Sequence, residues 1–99
     1  MQKRSLISGI NVFGKHIKIK ERDLTKEEID GRYLAPDALI EIEISLPESK
    51  KIEILAHELC HAMLDLTGWS NFLPDAVEES LCILCERFVG VLKQPFFKE

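Results

Sequence analysis

Two histidines, His57 and His61, lie four residues apart, and Glu58 directly follows the first of them. On an α-helix, residues four apart share one face and lie roughly 6 Å apart along the axis, so both imidazoles can reach one point. This spacing is typical of zinc ligands, and the glutamate is placed to take a proton from a water molecule at the metal. We therefore predict His57 and His61 as metal ligands, Glu58 as the catalytic base and Zn2+ as the cofactor.

The stretch 52–66 has the helical pattern that this geometry requires. Its apolar residues form one stripe at helical spacing, and the two histidines fall on roughly the opposite side together with two more apolar residues. We expect such a helix to be covered by other parts of the chain on two sides. The alternative is a buried helix whose histidines are hydrogen-bonded within the core; the glutamate between them favours the metal site.

A zinc site of this kind needs a third protein ligand beside the open position for water or substrate. Leu64 and Thr67 occupy the positions where a metzincin would carry a glycine and a third histidine. The remaining histidine, His16, lies far upstream in a predicted strand. We therefore expect a glutamate of the following helix to be the third ligand.

Glu78 and Glu79 lie near the start of this second predicted helix, which runs from about Asp75 to Lys93. On a helical wheel Glu78 falls on the apolar side, whereas Glu79 groups with polar residues that include Glu86. We predict Glu78 as the third metal ligand, because a carboxylate on an apolar face is costly without a partner. Two alternatives stay open: Glu78 can form a capping box with Asp75, and Glu79 can be the ligand.

Length and charge restrict the classes to which the protein can belong. The 99 residues are predicted to form a single domain, residues 1–99. A net charge of −4 without a basic face argues against nucleic-acid binding. No apolar run is long enough for a signal peptide or a membrane span. We expect a cytoplasmic protein that acts on a protein or peptide substrate, with no nucleic-acid or membrane partner; the oligomeric state stays open.

The three cysteines are predicted to be packing residues. Their odd number gives no disulfide framework, which agrees with a reducing compartment. Cys82 and Cys85 form a CxxC pair in mid-helix, but they lie on or near its apolar side, which favours core thiols over a redox or zinc pair.

Alternating apolar and polar residues in the first half of the chain predict β-strands. The stretches 9–13 and 16–20 are predicted to form a hairpin in which Ile17 and Ile19 are buried. Residues 31–33 are predicted as a turn.

The clearest alternation lies in the stretch 38–45, where Glu41 and Glu43 are predicted to face solvent. Together with the two helices, these strands predict an α+β fold. We expect a small antiparallel or mixed sheet of about three strands, packed on the helix that carries the His57-Glu58-x-x-His61 (HExxH) motif and on a second, C-terminal helix.

The order of these features resembles the ImmA/IrrE-type minimal zinc metallopeptidases, including the small versions carried by phages and other mobile elements. The resemblance covers about residues 12–92 and rests on the hairpin, the Gly-x-Tyr turn, the alternating strand, the helix with LAHELCHAML and a following helix that opens with glutamates. It implies a gluzincin-like core with His57 and His61 as ligands, Glu58 as base and a glutamate of the second helix as third ligand. The second helix reads VEESLCIL, which departs from the family pattern and leaves Glu78 and Glu79 as alternatives.

The function that these residues predict is hydrolysis of peptide bonds by a zinc-activated water, with Glu58 as general base. An extended peptide could pair with the strand 40–44 if that strand is an edge, and Tyr33 and His16 are candidate donors to the oxyanion. One rival is a metal-binding regulatory or interaction protein with little or no proteolytic activity. The other is a helical interaction domain in which the HExxH motif is coincidental.

Overall fold

The computed structural model describes residues 4–89 and 96–98. Its elements are the strands β1 (Gly9–Val12), β2 (Lys15–Arg22), β3 (Gly31–Leu34) and β4 (Leu39–Glu43), and the helices α1 (Glu48–Leu66) and α2 (Asp75–Val89). Short 3-10 turns lie at Thr25–Glu27, Ala35–Asp37 and Trp69–Asn71. The prediction of an α+β fold with two helices is confirmed, but the described residues form four strands rather than about three.

The four strands form one mixed sheet in the order β1-β2-β4-β3. β1 and β2 form the predicted antiparallel hairpin, with Ile10 opposite Ile17. β4 pairs with β2 in parallel and with β3 antiparallel. β4 therefore lies inside the sheet, so the condition under which a peptide could pair with it is not met; β3 is the edge on that side.

β3 covers residues that the sequence predicts as a turn. Each of its four residues is half-buried, so it lacks the alternation of exposed and buried positions by which a strand is recognised. Its first residue, Gly31, packs directly on α1: a Cβ there would lie 2.5 Å from Cγ2 of Ile54. A glycine at this point reflects close approach of the strand to the helix rather than a turn.

The core lies between the sheet and α1. Ile17 and Ile19 of β2 are buried as predicted, and they pack with β4, with the buried face of α1 and with Phe97. Phe97 forms a β-bridge with Leu6, which places its side chain in the core. One ion pair also lies on the sheet side of α1, between the buried Lys51 and Glu21 of β2.

The prediction that Glu41 and Glu43 face solvent is wrong, because both side chains are buried. Glu41 accepts hydrogen bonds from Arg22 at 2.5 Å and from Arg32 at 2.6 Å, on the two neighbouring strands. Burial by itself would raise the pKa of Glu41, but these two guanidinium groups outweigh it and hold the pKa below its ordinary value.

Glu43 is buried beneath the loop that follows β2. Its carboxylate accepts hydrogen bonds from the hydroxyl and backbone N–H of Ser45 and from the N–H of Leu24. These donors lower the pKa of Glu43. The carboxylate therefore fixes two loops to the end of β4, a role that periodicity cannot reveal.

The ends of the helices follow the sequence in part. α1 begins after Pro47 without a side-chain cap. Gly68 directly follows the C-cap of α1 with a φ of 82°, the left-handed conformation expected of a terminating glycine. α2 begins at Asp75 as predicted; its predicted end at Lys93 lies outside the described residues. Within those residues, neither helix combines the length and the apolar character needed to cross a bilayer.

We expect the substitution Gly31→Ala to destabilise the fold by about 1–3 kcal/mol, the usual cost of adding a methyl group to a filled contact. The added Cβ would be forced against Cγ2 of Ile54 at 2.5 Å and would lie 3.1 Å from the carbonyl oxygen of Glu41. Urea unfolding of the wild type and the variant measures this difference. The same substitution should cost less in an Ile54→Ala background, and an equal cost in both backgrounds would contradict the proposed clash.

We expect the free energy of unfolding to fall as the pH drops below about 4. Glu41 and Glu43 have lower pKa values in the folded chain than the ordinary glutamate value of about 4.3. Their contribution to stability is therefore complete above that value and is lost as the pH falls through the lower folded-state pKa. Urea unfolding between pH 3 and 6 tests this with Glu41→Gln, which should have a shallower pH dependence than the wild type. An unchanged slope would rule out Glu41 as a source.

Candidate metal centre

The two predicted histidine ligands lie side by side on the face of α1 that packs on α2. His57 and His61 have ring centroids 5.1 Å apart. Both side chains are mostly buried, with exposed fractions of 14% and 24%. The helix thus brings the two imidazoles together as their spacing predicts.

A carboxylate of α2 contacts the Nε2 atoms of both histidines. Oε1 of Glu79 lies 2.9 Å from Nε2 of His57, and Oε2 lies 3.3 Å from Nε2 of His61. Two ligand atoms of a tetrahedral zinc ion are separated by about 3.3 Å when each lies about 2.0–2.1 Å from the metal. The three side chains offer ligand atoms that all lie within 4.8 Å of one another, and two imidazoles with one carboxylate are a donor set that suits zinc.

Glu78, the predicted third ligand, contacts the opposite side of its histidine. Its Oε2 lies 2.7 Å from Nδ1 of His61, away from the point where the two Nε2 atoms converge. One residue along an α-helix turns the side chain by about 100°, which takes Glu79 rather than Glu78 to that point. The geometry therefore differs from the prediction and favours Glu79, which the sequence left as the alternative.

Glu86 is a member of the site that the sequence analysis missed. Its Oε1 lies 2.9 Å from Nδ1 of His57. The sequence signal for Glu86 was its spacing of seven residues from Glu79. Seven residues are about two helical turns, which place both carboxylates on one face of α2. The helical wheel groups Glu86 with Glu79 on the polar side of α2, but it does not reveal that this side faces the histidines of α1.

Glu58 lies beside this cluster at the wall of a cavity. The cavity has a volume of about 430 Å3 and lies between β3 and α1; among its lining residues are Tyr33, Glu58, His61, Asp65, Ser70 and Glu78. Burial raises the pKa of Glu58, an effect that the two histidines and the backbone N–H of Tyr33 partly offset. The predicted base therefore faces an open space next to one predicted ligand.

The two candidate oxyanion donors, Tyr33 and His16, lie in different parts of the fold. Tyr33 lines the cavity, where its hydroxyl donates to Oδ2 of Asp65 at 2.8 Å. Burial and this carboxylate raise the pKa of Tyr33 to about 12, so its phenol keeps its proton at neutral pH. His16 contacts Asn11 in the β1–β2 hairpin, and β4 separates that hairpin from β3.

A comparison of the sequence with models of protein families identifies one family. The model described as DA1-like, Protein DA1, matches residues 13–89, which is most of the chain. The chain belongs to the DA1-like family. The matched range includes β2, β3, β4, both helices and every residue of the site, whereas β1 precedes it. Neither a search of curated proteins nor a search of solved structures gave a match.

The family match corrects the resemblance to ImmA/IrrE-type peptidases, which no family match supports. The most specific part of that resemblance was the HExxH motif on a helix, and this motif occurs in several classes of zinc enzyme. Its weaker part included a turn at residues 31–33, where this DA1-like chain has the strand β3.

The cysteines of this DA1-like chain are free thiols, and two of them are buried. Cys60 of α1 and Cys82 of α2 lie next to the metal-centre residues on the two packed helices. Burial raises the pKa of Cys60 to about 11 and that of Cys82 further. Thiols with raised pKa values are poor nucleophiles, which supports their predicted role in packing.

Negative charge is concentrated around the two histidines. Four carboxylates, those of Glu58, Glu78, Glu79 and Glu86, contact or flank the imidazoles. Among residues 4–89 and 96–98, no lysine or arginine forms an ion pair with any of the four. A divalent cation bound at Nε2 of both histidines would offset part of this charge.

Proposed function

We propose that this DA1-like chain is a zinc-dependent metallopeptidase with a minimal zincin-like core. The observation that carries the proposal is the convergence of Nε2 of His57, Nε2 of His61 and the carboxylate of Glu79, with Glu58 beside them. Three protein ligands with a free fourth position are the arrangement of a catalytic rather than a structural zinc site.

Each side chain has a defined part in this reaction. His57, His61 and Glu79 hold the metal, with Glu79 in place of the predicted Glu78. When bound in such a site, zinc lowers the pKa of a coordinated water and polarises a substrate carbonyl. Glu58 accepts the proton of the attacking water and then passes it to the amine that leaves the cleaved peptide bond.

The environment of Glu58 suits a general base. A base works best when its pKa lies near the operating pH, and burial moves the pKa of Glu58 upwards from the ordinary value. The hydrogen bond from the backbone N–H of Tyr33 keeps the carboxylate at the wall of the cavity. Glu58 is thereby held close to His61, but it is not one of the three side chains that converge on the proposed metal position.

The edge strand β3 is the proposed binding surface for the substrate. β3 pairs with β4 on one side only among the described residues, and Gly31, Arg32 and Tyr33 line the cavity beside Glu58. An extended peptide can add to such an edge through backbone hydrogen bonds. Strand addition would place a peptide carbonyl over the HExxH helix, so β3 takes the role first expected of β4.

One observation favours a second function, a metal-binding regulatory or interaction protein with little proteolytic activity. Large apolar side chains on α2 are exposed, among them Leu84 at 63% and Phe88 at 59%. Together with Val77 and Leu81 they recur at spacings of four, three and four residues, the pattern of a helix that packs against a partner.

We expect the wild-type protein, purified without chelators, to contain about one zinc ion per chain, the content of a single three-ligand site. Glu79→Ala should lose the metal because it removes a ligand, whereas Glu53→Ala, which changes a half-buried glutamate of α1 that pairs with Lys50, should keep it. Elemental analysis of the three proteins gives the answer. A wild type that contains no zinc and binds none on titration would refute the metal centre.

We expect Glu58→Gln to lower peptide cleavage by about 10²–10⁴-fold, the usual contribution of a general base, while zinc content stays at the wild-type level. Cleavage is measured on a mixture of unstructured peptides of varied sequence, in which mass spectrometry detects every new terminus. Wild type treated with a chelator and then supplied with zinc is the control. Equal cleavage by Glu58→Gln would point to a contaminant, and absence of cleavage by the zinc-loaded wild type would favour the regulatory function.

A further inference from the structure

We propose that Glu86 and Glu78 are positioning residues, which hold His57 and His61 in the tautomer and the ring orientation that present Nε2 to the metal. The inference rests on the proposed function, because it concerns the same two ligands. It extends that function to two carboxylates that are neither metal ligands nor the base.

The hydrogen bonds at the Nδ1 atoms determine the tautomers. A neutral imidazole carries one N–H and one lone pair, and the nitrogen that binds a metal is set by the hydrogen bond at the other nitrogen. An ionised carboxylate only accepts hydrogen bonds. Glu86 lies 2.9 Å from Nδ1 of His57 and Glu78 lies 2.7 Å from Nδ1 of His61, so each Nδ1 has a carboxylate acceptor for its hydrogen. Glu79 also lies 2.9 Å from Nε2 of His57, and a metal bound at Nε2 would take the place of that hydrogen-bond contact. Nε2, which faces Glu79 in both rings, is then the nitrogen available to the metal.

One contact within the described part of the chain explains the position of Glu86. Among the residues that the structure describes, His57 is the only side chain with which Glu86 forms a hydrogen bond or ion pair. Its side chain is only 17% exposed, and a carboxylate withdrawn from water needs a compensating contact. The contact with His57 therefore compensates for the burial of the Glu86 carboxylate. The same contact fixes the orientation of the His57 ring.

Glu78 is held in place by a second contact of its own. It accepts hydrogen bonds from His61 and from the hydroxyl of Ser70, and the first of these lowers its pKa, with burial acting against it. Ser70 lies in the short turn between the two helices. Glu78 is therefore held from both sides, by His61 and by Ser70.

Packing of the helices fixes the position of all these carboxylates. His57 contacts Glu86 while His61 contacts Glu78, so the two helices run antiparallel. Cys82 lies between Glu79 and Glu86 on the same face of α2 and is completely buried. Because Cys82 holds this face against α1, the carboxylates approach the imidazoles from a rigid element and not from a mobile loop.

Loss of such outer partners typically weakens metal binding about 10–100-fold. We therefore expect Glu86→Ala and Glu78→Ala to lower zinc affinity by about this factor, measured by competition with a chromophoric chelator. Glu86→Asp keeps the charge but shortens the side chain by about 1.5 Å, one C–C bond, so it should lose affinity like Glu86→Ala. Glu86→Gln keeps an acceptor oxygen for the Nδ1 hydrogen and should lose less than about 10-fold.

Spectroscopy separates positioning from a general loss of structure. The visible absorption of bound Co2+ depends on ligand geometry, so it should change in Glu86→Ala and Glu86→Asp and stay unchanged in Glu53→Ala. Circular dichroism of the metal-free proteins checks that each variant folds, and Glu78→Ala is an independent test if Glu86→Ala does not. Unaltered zinc affinity and Co2+ spectrum in both alanine variants would overturn the inference.

Two further outcomes are also decisive. If Glu86→Asp binds zinc as tightly as the wild type while Glu86→Ala does not, negative charge alone is sufficient and the positioning role is refuted. If the wild type itself binds no zinc, the proposed function is refuted. A wild type that binds zinc with the same affinity as its Glu86 variants leaves the metal centre in place and refutes the positioning role of Glu86.

Discussion

The contact between Glu79 and the two imidazoles of α1 is the interaction on which the rest of the site depends. It joins the two helices at the point where four carboxylates and two histidines meet, and it requires one rotation of α2 relative to α1. A different rotation of α2 would take Glu86 away from Nδ1 of His57 and would expose Cys82. The buried thiols and the polar cluster thus impose the same arrangement of the helices, one by packing and the other by charge.

A second constraint places the edge of the sheet beside this helix pair. Gly31 allows β3 to approach α1 more closely than any residue with a side chain could. On the other face of the sheet, Arg22, Glu41 and Arg32 link three neighbouring strands in a row. Cross-strand pairs of this kind stabilise the register of a sheet, and here they fix β3 to the strands that belong to the core. The cavity beside Glu58 is a consequence of both contacts.

The sequence predicts what depends on local spacing and misses what depends on how elements pack. The pairing of His57 with His61 follows from a four-residue spacing on one helix, and the structure brings both rings together as expected. The choice between Glu78 and Glu79 depends on the rotation of α2 against α1, which a helical wheel of α2 alone does not contain. For Glu41, alternation indicates correctly that it lies opposite Ile40 and Ile42, but it does not reveal that two arginines cover that face.

The concentration of acidic groups has opposite effects on binding and on catalysis in the proposed enzyme. Carboxylates at both Nδ1 atoms make the imidazoles stronger donors, which tightens metal binding. Greater donation from the ligands would also leave more electron density on a bound metal and make it a weaker Lewis acid. A buried base with a raised pKa, such as Glu58, compensates for this because it takes the proton more readily from a less acidified water. In the proposed enzyme the acidic outer residues would therefore secure the metal, and the burial of Glu58 would restore the driving force for proton transfer that these residues reduce.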